Sequence, residues 1–535
     1  MTDTRTPATA LWVPVPERLQ PWLVIIAGVL AVGAFAPFSI YPLAFLSLAV
    51  LFNQWLGDSP RRALRHGALF GLGFFSTGVS WVYVSVHVYG QVPMVPAALV
   101  AILLVLVLSV FVALTGYLCR RYLAAAGPGG LLLVLPAGWV LAEWLRGWIF
   151  TGLPWLDIGA SQINGPLAGY LPVLGEYGVT WLVGLGAGLL LALVANRQRA
   201  VSAGLLAALL AGGYLLEHVE WTSARGEPVR VSLIQGNIAQ EDKWAPEHLE
   251  RTLLLYADLT SAAADSDLVV WPETAIPAFY HQVEDSYIPY LEEQLAETGQ
   301  SLLTGIPVLD RESWDYYNSI ITLNGERGFY NKQHLVAFGE YLPLRWLIGN
   351  TLDALAVPNA DFTSGSDDQP LLDAAGYPVG TSICFEVAFA RLISNALPAA
   401  AFLVNVSNDG WFGRSLAPFQ HLELARVRAK ETGRALLRAT NTGISAIINH
   451  DGSIQTKSPQ FEQAVVQGEI VPRQGATPYV RFGDWPILVI AIICLLIARI
   501  RYKNQLAHDY RDVGGRATHG AVAESRQGAK KEKIN

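Results

Sequence analysis

Of 535 residues only 15% are charged while 52% are hydrophobic, whereas a typical soluble domain carries roughly 25% charge. The charges are also unevenly placed. Residues 19–216 hold eight Arg, four acids (Asp58, Glu143, Asp157, Glu176) and no Lys. This excludes a disordered chain and a purely soluble one.

Eight apolar stretches read as membrane spans, given the roughly 20 residues, or fewer with snorkelling ends, that a crossing needs. Residues 19–57 carry no charge and break near Pro37–Pro42 into two short spans. Others lie near 67–87, 93–119, 125–145, 171–195 and 200–216. The eighth covers 485–501, with Arg499 and Arg501 placed to snorkel. Ala34-Phe35-Ala36 mimics a signal-cleavage site, but Pro37 and further spans follow, so an uncleaved anchor is expected. Every second boundary is basic: Arg5 and Arg18; Arg61, Arg62 and Arg65; Arg120 and Arg121; Arg197 and Arg199; then the tail from Arg499. Such residues stay in the cytoplasm. Both termini are therefore expected there, and segment 217–484 outside. The division is then seven spans in 1–216, an external module in 217–484, the eighth span, and a basic, disordered tail over 502–535. The module holds 34 acids against 18 bases, which excludes a nucleic-acid partner.

Within the module, strands alternate with helices. Val231–Ile234, Leu268–Trp271, Ser301–Thr304, Tyr317–Leu323, Gly328–Tyr330, Val379–Ile383 and Ala401–Val406 read as strands. The runs from Pro246 to about Ala264, up to about Glu297, and Phe419–Thr432 read as helices. The last strands flank His450-Asp451-Gly452. The pattern predicts a layered α/β domain with mixed sheets.

Three cysteines are dispersed: Cys119 and Cys494 in apolar runs, Cys384 alone in the module. No metal-ligand spacing is present, and neither metal nor cofactor is called for. Cys384 stands where a strand gives way to a helix-like run, a turn that exposes a nucleophile and aims backbone N–H groups at an oxyanion. Taken alone it is either that or a small buried hydrophobe. Glu273 follows a strand through Trp271-Pro272, and Lys332 follows the hairpin around Asn324-Gly325. Singly, each reads as a solvated surface charge. Together, all three stand at strand ends of one layered domain, where such folds place their sites.

Trp271-Pro272-Glu273, Asn331-Lys332 with Phe338-Gly339-Glu340, and Ser382-Ile383-Cys384-Phe385-Glu386 resemble the three motifs of the nitrilase (carbon–nitrogen hydrolase) superfamily. Glu143-Trp144-Leu145-Arg146-Gly147-Trp148, Thr151-Gly152-Leu153-Pro154-Trp155, Gln235-Gly236-Asn237, Gly339-Glu340-Tyr341-Leu342-Pro343 and Asn408-Asp409-Gly410-Trp411-Phe412-Gly413 resemble the bacterial apolipoprotein N-acyltransferases. That resemblance runs from the first spans to about residue 500. It implies an α-β-β-α sandwich on a helical membrane bundle in the bacterial inner membrane, with the sandwich on the periplasmic side.

It further implies a phospholipid acyl donor and a diacylated apolipoprotein acceptor. Cys384 would be the nucleophile, Glu273 the general base, and Lys332 the oxyanion-steadying cation. Lys332 itself is no base, because a neighbouring carboxylate keeps it charged. Glu340 and Glu386 match supporting positions. Trp244 matches a functional aromatic of the family, though a lid residue or a plain packing Trp fits equally. Phe385 stands where the family often has Tyr, which removes a hydroxyl, and Gly410 stands where relatives often have Ala. Glu143, Arg146, Trp148 and Trp155 are lipid-contact candidates near the outer end of the fifth span. Nothing demands more than a monomer. A membrane-tethered amidase is the competing reading, and a transporter with an external domain the weaker one.

Overall fold

The computed structural model describes residues 13–123, 129–195, 198–341 and 362–504. In the N-terminal half, Pro in the first turn opens helices Gln20–Val32, Pro42–Gly57, Pro60–Gly78 and Leu171–Val194. There its fixed φ is already helical and its missing N–H has no intrahelical partner to lose. Met94–Tyr122, Ala168–Val194, Arg199–Leu216 and Trp485–Asn504 are long and apolar enough to cross a membrane. Pro60–Gly78 and Trp81–Tyr89 qualify only as a pair, bent by 50°.

Among the described residues, length and hydropathy therefore give four crossings, or five with the bent pair, against the eight expected. The difference lies in length. Gln20–Val32 and Pro42–Gly57 have 13 and 16 residues. They rise about 20 and 24 Å at 1.5 Å per residue, short of a hydrocarbon core of about 30 Å. Leu135–Arg146 is likewise short and extends a π-helical turn, Gly130–Val134. The third segment also starts earlier than its apolar run. Ser59 Oγ accepts from Arg62 N at 3.4 Å, so Arg61, Arg62 and Arg65 sit inside the helix. The last helix runs on to Asn504, so the first three residues of the tail expected to be disordered are helical; the rest of that tail, Arg5, Arg197 and Leu342-Pro343 lie outside the described residues.

The second half builds two six-stranded sheets. A short pair, β1 (Ser223–Ala224) with β14 (Arg473–Gln474), joins its ends. The first sheet uses β2 (Val229–Gln235), β3 (Leu268–Val270), β4 (Ser301–Leu309), β5 (Tyr316–Leu323), β6 (Phe329–Asn331) and β13 (Ala464–Ile470), in the order β13-β2-β3-β4-β5-β6. The second uses β7 (Leu372–Ala374), β8 (Tyr377–Ile383), β9 (Phe402–Ser407), β10 (Leu436–Thr440), β11 (Ala446–Ile448) and β12 (Ile454–Lys457), in the order β7-β8-β9-β10-β11-β12. Read in those directions, each sheet has one antiparallel, two parallel and two antiparallel pairings in succession.

Alternation along the strands sets the layers. Leu233, Val270 and Leu303 of one sheet share a core with Val379, Val404 and Leu437 of the other. Val269, Leu302 and Ile321 turn outward to helices Pro246–Ser261 and Tyr287–Thr298. Leu403, Leu436 and Ile448 turn outward to Ala390–Asn395 and Ala417–Thr432. This is the α-β-β-α sandwich anticipated from the motifs.

Helix Ala417–Thr432 is shared between the two halves. Leu422, Ala425 and Ala429 pack on the second sheet, while Ala417, Leu424 and Val427 join the core of the helical bundle. Its charges are paired across that contact. Arg428 binds Glu176 and, at 2.8 Å, Glu431. Glu431 Oε1 accepts from Glu176 N (2.6 Å), and Glu423 Oε1 from Ala36 N (3.0 Å).

Candidate active site

β8 ends in a 3-10 turn, Cys384–Ala388, and Cys384 itself has φ +53°. A left-handed non-glycine residue costs about 1–3 kcal/mol and persists only where the surroundings impose it. Here they do. The Cys384 carbonyl accepts from His421 Nε2 (3.0 Å) and Asn405 Nδ2 (3.3 Å), and Ile383 N donates to Glu386 Oε2 (2.7 Å). The result is a sharp strand-to-helix elbow of the kind that presents nucleophiles. Burial pushes the thiol up to about 12, and the neighbouring Glu273 carboxylate adds to the effect. The resting side chain is a neutral thiol.

Glu273 stands just beyond β3. Its turn lies directly on β4, where only glycine fits: a Cβ on Gly305 would meet Thr274 N at 2.4 Å and Pro272 O at 2.7 Å. Glu273 Oε1 accepts from Asn318 Nδ2 (2.7 Å), and Oε2 from Asn408 N (2.8 Å). Lys332, the residue after β6, places Nζ 2.8 Å from Glu340 Oε1 and 3.7 Å from Glu273 Oε1. Burial works against its charge, but Glu340 and Glu273 outweigh burial and hold the ammonium above its ordinary value. Lys332 is thus a fixed cation and no proton acceptor.

The supporting carboxylates have separate tasks. Glu340 grips Lys332 and accepts from Val336 N (2.9 Å) and Asn318 Nδ2 (3.1 Å). Glu386 does not touch Lys332. It collects Tyr330 Oη, Gln333 N, His334 N and Ile383 N within 3.0 Å, stitching the Lys332 loop to the Cys384 elbow. Burial pushes Glu386 up to about 7 despite those donors.

Beneath the elbow, Asp409, His421 and Arg438 are fully buried. Arg438 Nη2 donates to both Asp409 oxygens (3.0 and 2.9 Å) and to His421 Nδ1 (2.9 Å). Burial and Arg438 lower the proton affinity of His421, so the neutral ring donates through Nε2 to the Cys384 carbonyl. Asp409→Ala strands Arg438 without its counter-charge. It is expected to lower stability by about 3–5 kcal/mol, as breaking a buried pair does, read from denaturant midpoints in detergent. A change below about 1 kcal/mol would mean that the pair stabilises little.

The lipid-contact candidates divide. Trp148 is 54% exposed and packs its ring 5.5 Å from Trp144. Trp244, a supporting aromatic by resemblance and not one of these candidates, is 42% exposed. Glu143 and Arg146 are buried and committed inside the protein. Arg146 binds Asp157 and, at 2.5 Å, the Trp155 carbonyl. Glu143 accepts from Trp139 Nε1 (2.7 Å), Ile158 N (3.0 Å) and Thr180 Oγ1 (2.8 Å). Trp155 is fully buried, stacks on Phe385 (6.0 Å) and donates to Gln420 Oε1 (2.7 Å). Phe385 therefore packs between Trp155 and Phe389.

Two family profiles match this chain. Residues 27–189 match the apolipoprotein N-acyltransferase N-terminal domain, and residues 230–479 match carbon-nitrogen hydrolase. An apolipoprotein N-acyltransferase of Methylococcus capsulatus is 46% identical over 497 residues, 91% of this chain and 98% of its own length. The chain belongs to the apolipoprotein N-acyltransferase family. The relative from Nitrosomonas europaea is 43% identical (88% and 94% covered), and that from Azotobacter vinelandii 39% (93% and 98%). A nitrilase-superfamily structure from Saccharomyces cerevisiae aligns at 19% identity over 47% of this chain and 93% of its own, with TM-score 0.37.

Sequence reading missed Asn318, which bridges both carboxylates, and the buried Lys243, Asn405, His421 and Arg438. Asp409 was visible only as a letter in a family motif. Asn318, Asn405 and Arg438 lie inside strands, His421 in a buried helix and Lys243 in a loop, and no spacing rule marks any of them.

Proposed function

We propose that this chain moves an acyl chain from a phospholipid to the α-amine of the N-terminal diacylglyceryl-cysteine of apolipoproteins, through a thioester on Cys384. Near-full-length similarity to the apolipoprotein N-acyltransferases supports the reaction. The convergence of Glu273, Glu340 and Lys332 beside the Cys384 elbow, with Asn318 bridging the two carboxylates, is the observation that supports the residues.

Glu273 takes the thiol proton as Sγ attacks the ester carbonyl. The tetrahedral oxyanion is steadied by the Lys332 ammonium and the backbone N–H after Cys384. Collapse breaks the ester C–O bond, and the lysophospholipid leaves with the proton held by Glu273. The lipoprotein amine then attacks the thioester and gives its proton to Glu273. A second collapse forms the amide and returns the proton to the departing sulfur. Both substrates are lipids, and extracting a chain into water costs about 0.8 kcal/mol per CH₂. A site carried on membrane helices avoids that cost.

Mass spectrometry of the purified protein with phospholipid is the test. A thioester on Cys384 that passes to an amine supports transfer. Turnover to free fatty acid alone supports the competing hydrolase.

The reading includes eight crossings, cytoplasmic termini, a periplasmic sandwich in the bacterial inner membrane, and a working monomer. The basic boundaries support the orientation. A reporter active only outside the cytoplasm should function when fused near residue 300 and fail after residue 505. Activity at both places would put the count of crossings wrong by one.

A further inference from the structure

The site holds a second buried lysine that the mechanism above leaves unused. Lys243 lies in the loop between β2 and helix Pro246–Ser261, beside Trp244, and is only 6% exposed. Its Nζ donates to the backbone carbonyl of Glu273 at 3.0 Å. The loop is fastened to that residue a second way. Gln240 Oε1 accepts from Asn408 Nδ2 (2.7 Å), and Asn408 N donates to Glu273 Oε2. Asn441 holds the start of the loop through both Ile238 N (2.9 Å) and Ile238 O (2.8 Å). The ammonium is therefore held at a fixed place beside the base.

The charges around it can be named. Glu273 and Cys384 act on Lys243 directly. Lys332 and Glu340 stand at the Glu273 carboxylate, and Asp409 is occupied by Arg438. On its own loop, Asp242 is half exposed and lies 3.7 Å from His248. At the Glu273 carboxylate, Glu273 and Glu340 against Lys332 leave one negative charge, which Lys243 offsets. Burial lowers Lys243 to about 8, with Glu273 and Cys384 opposing the fall, so it is still cationic at neutral pH.

We propose that Lys243 is a positioning residue for the general base: its charge keeps Glu273 ionised in a desolvated site, and its bond to the Glu273 carbonyl fixes the turn. Without it, a buried site with net negative charge takes up a proton more readily and loses its acceptor. The proposal rests on Glu273 being the base.

The test is single-turnover thioester formation from phospholipid in mixed micelles, with the full chain, between about pH 5 and pH 9. Lys243→Gln keeps an N–H donor without charge; Lys243→Arg keeps the charge. The acid limb of Lys243→Gln should move up by about 1 pH unit, the low end for a lost neighbouring charge. Its loss is then about tenfold on the acid side and fades toward alkali. Lys243→Arg should keep the parent's limb. Lys243→Met should repeat the shift, and is the readout if the Gln protein folds poorly. A loss uniform in pH, or an unmoved limb in the uncharged variants, overturns the proposal. Glu273→Gln is run alongside. If it retains the parental acid limb, the base assignment fails and this proposal with it. If it loses the limb while Lys243→Gln does not move it, the proposal alone fails.

Discussion

A Cys384→Ala protein is expected to insert and fold as the parent does yet form no thioester and N-acylate nothing. The elbow is held by the Cys384 carbonyl and by Glu386, not by sulfur, so truncating the side chain leaves those bonds in place. Cys384→Ser should do nearly the same. A serine hydroxyl is a far weaker nucleophile at its free pKa than a thiol, and this base is arranged for sulfur. The loss is total within detection, the largest effect expected of any substitution here. The measurement is intact-mass detection of an acyl adduct, with transfer to a lipopeptide followed separately. Measurable N-acylation by the Ala variant would remove Cys384 from the reaction.

Glu273→Gln should slow thioester formation by about 10²–10⁴-fold, the scale of a lost general base. Because burial pushes the thiol up to about 12, the thiolate fraction is small throughout the working range. Alkali should then restore the rate by about tenfold per pH unit, with no plateau by pH 10. Lys332→Met removes a donor from both tetrahedral intermediates. Acylation and transfer should fall together, by about 10²–10³-fold each. Alkali supplies no oxyanion donor, so this loss should persist at pH 10. Rescue of Lys332→Met by alkali, with none for Glu273→Gln, reverses the two roles.

The sandwich was legible because its chemistry stands at strand ends. Leu268–Trp271, Val379–Ile383 and the hairpin around Asn324-Gly325 each announce a strand and a turn, and Glu273, Cys384 and Lys332 follow them directly. β10 was missed because Arg438 interrupts Leu436–Thr440, and a buried arginine breaks the apolar run by which a central strand is recognised. The membrane half was legible as composition but not as helix length. Hydropathy finds Gln20–Val32 and Pro42–Gly57 without showing that these helices hold only 13 and 16 residues. Arg146 and Trp155 show the same limit. Sequence places them at a helix end, where lipid contact is reasonable, but it cannot show that Asp157 and Gln420 already occupy them.

The helix Ala417–Thr432 has almost no side to offer to water. Its inner face carries His421, which holds the Cys384 carbonyl, and its outer face carries Arg428 and Glu423, whose partners are Glu176 of helix Leu171–Val194 and the Ala36 N–H in the turn after Gln20–Val32. A fragment cut near residue 217 would leave those charges bare on the same helix that sets the elbow. The two halves are therefore joined through one helix, and the reactivity proposed for Cys384 should require both.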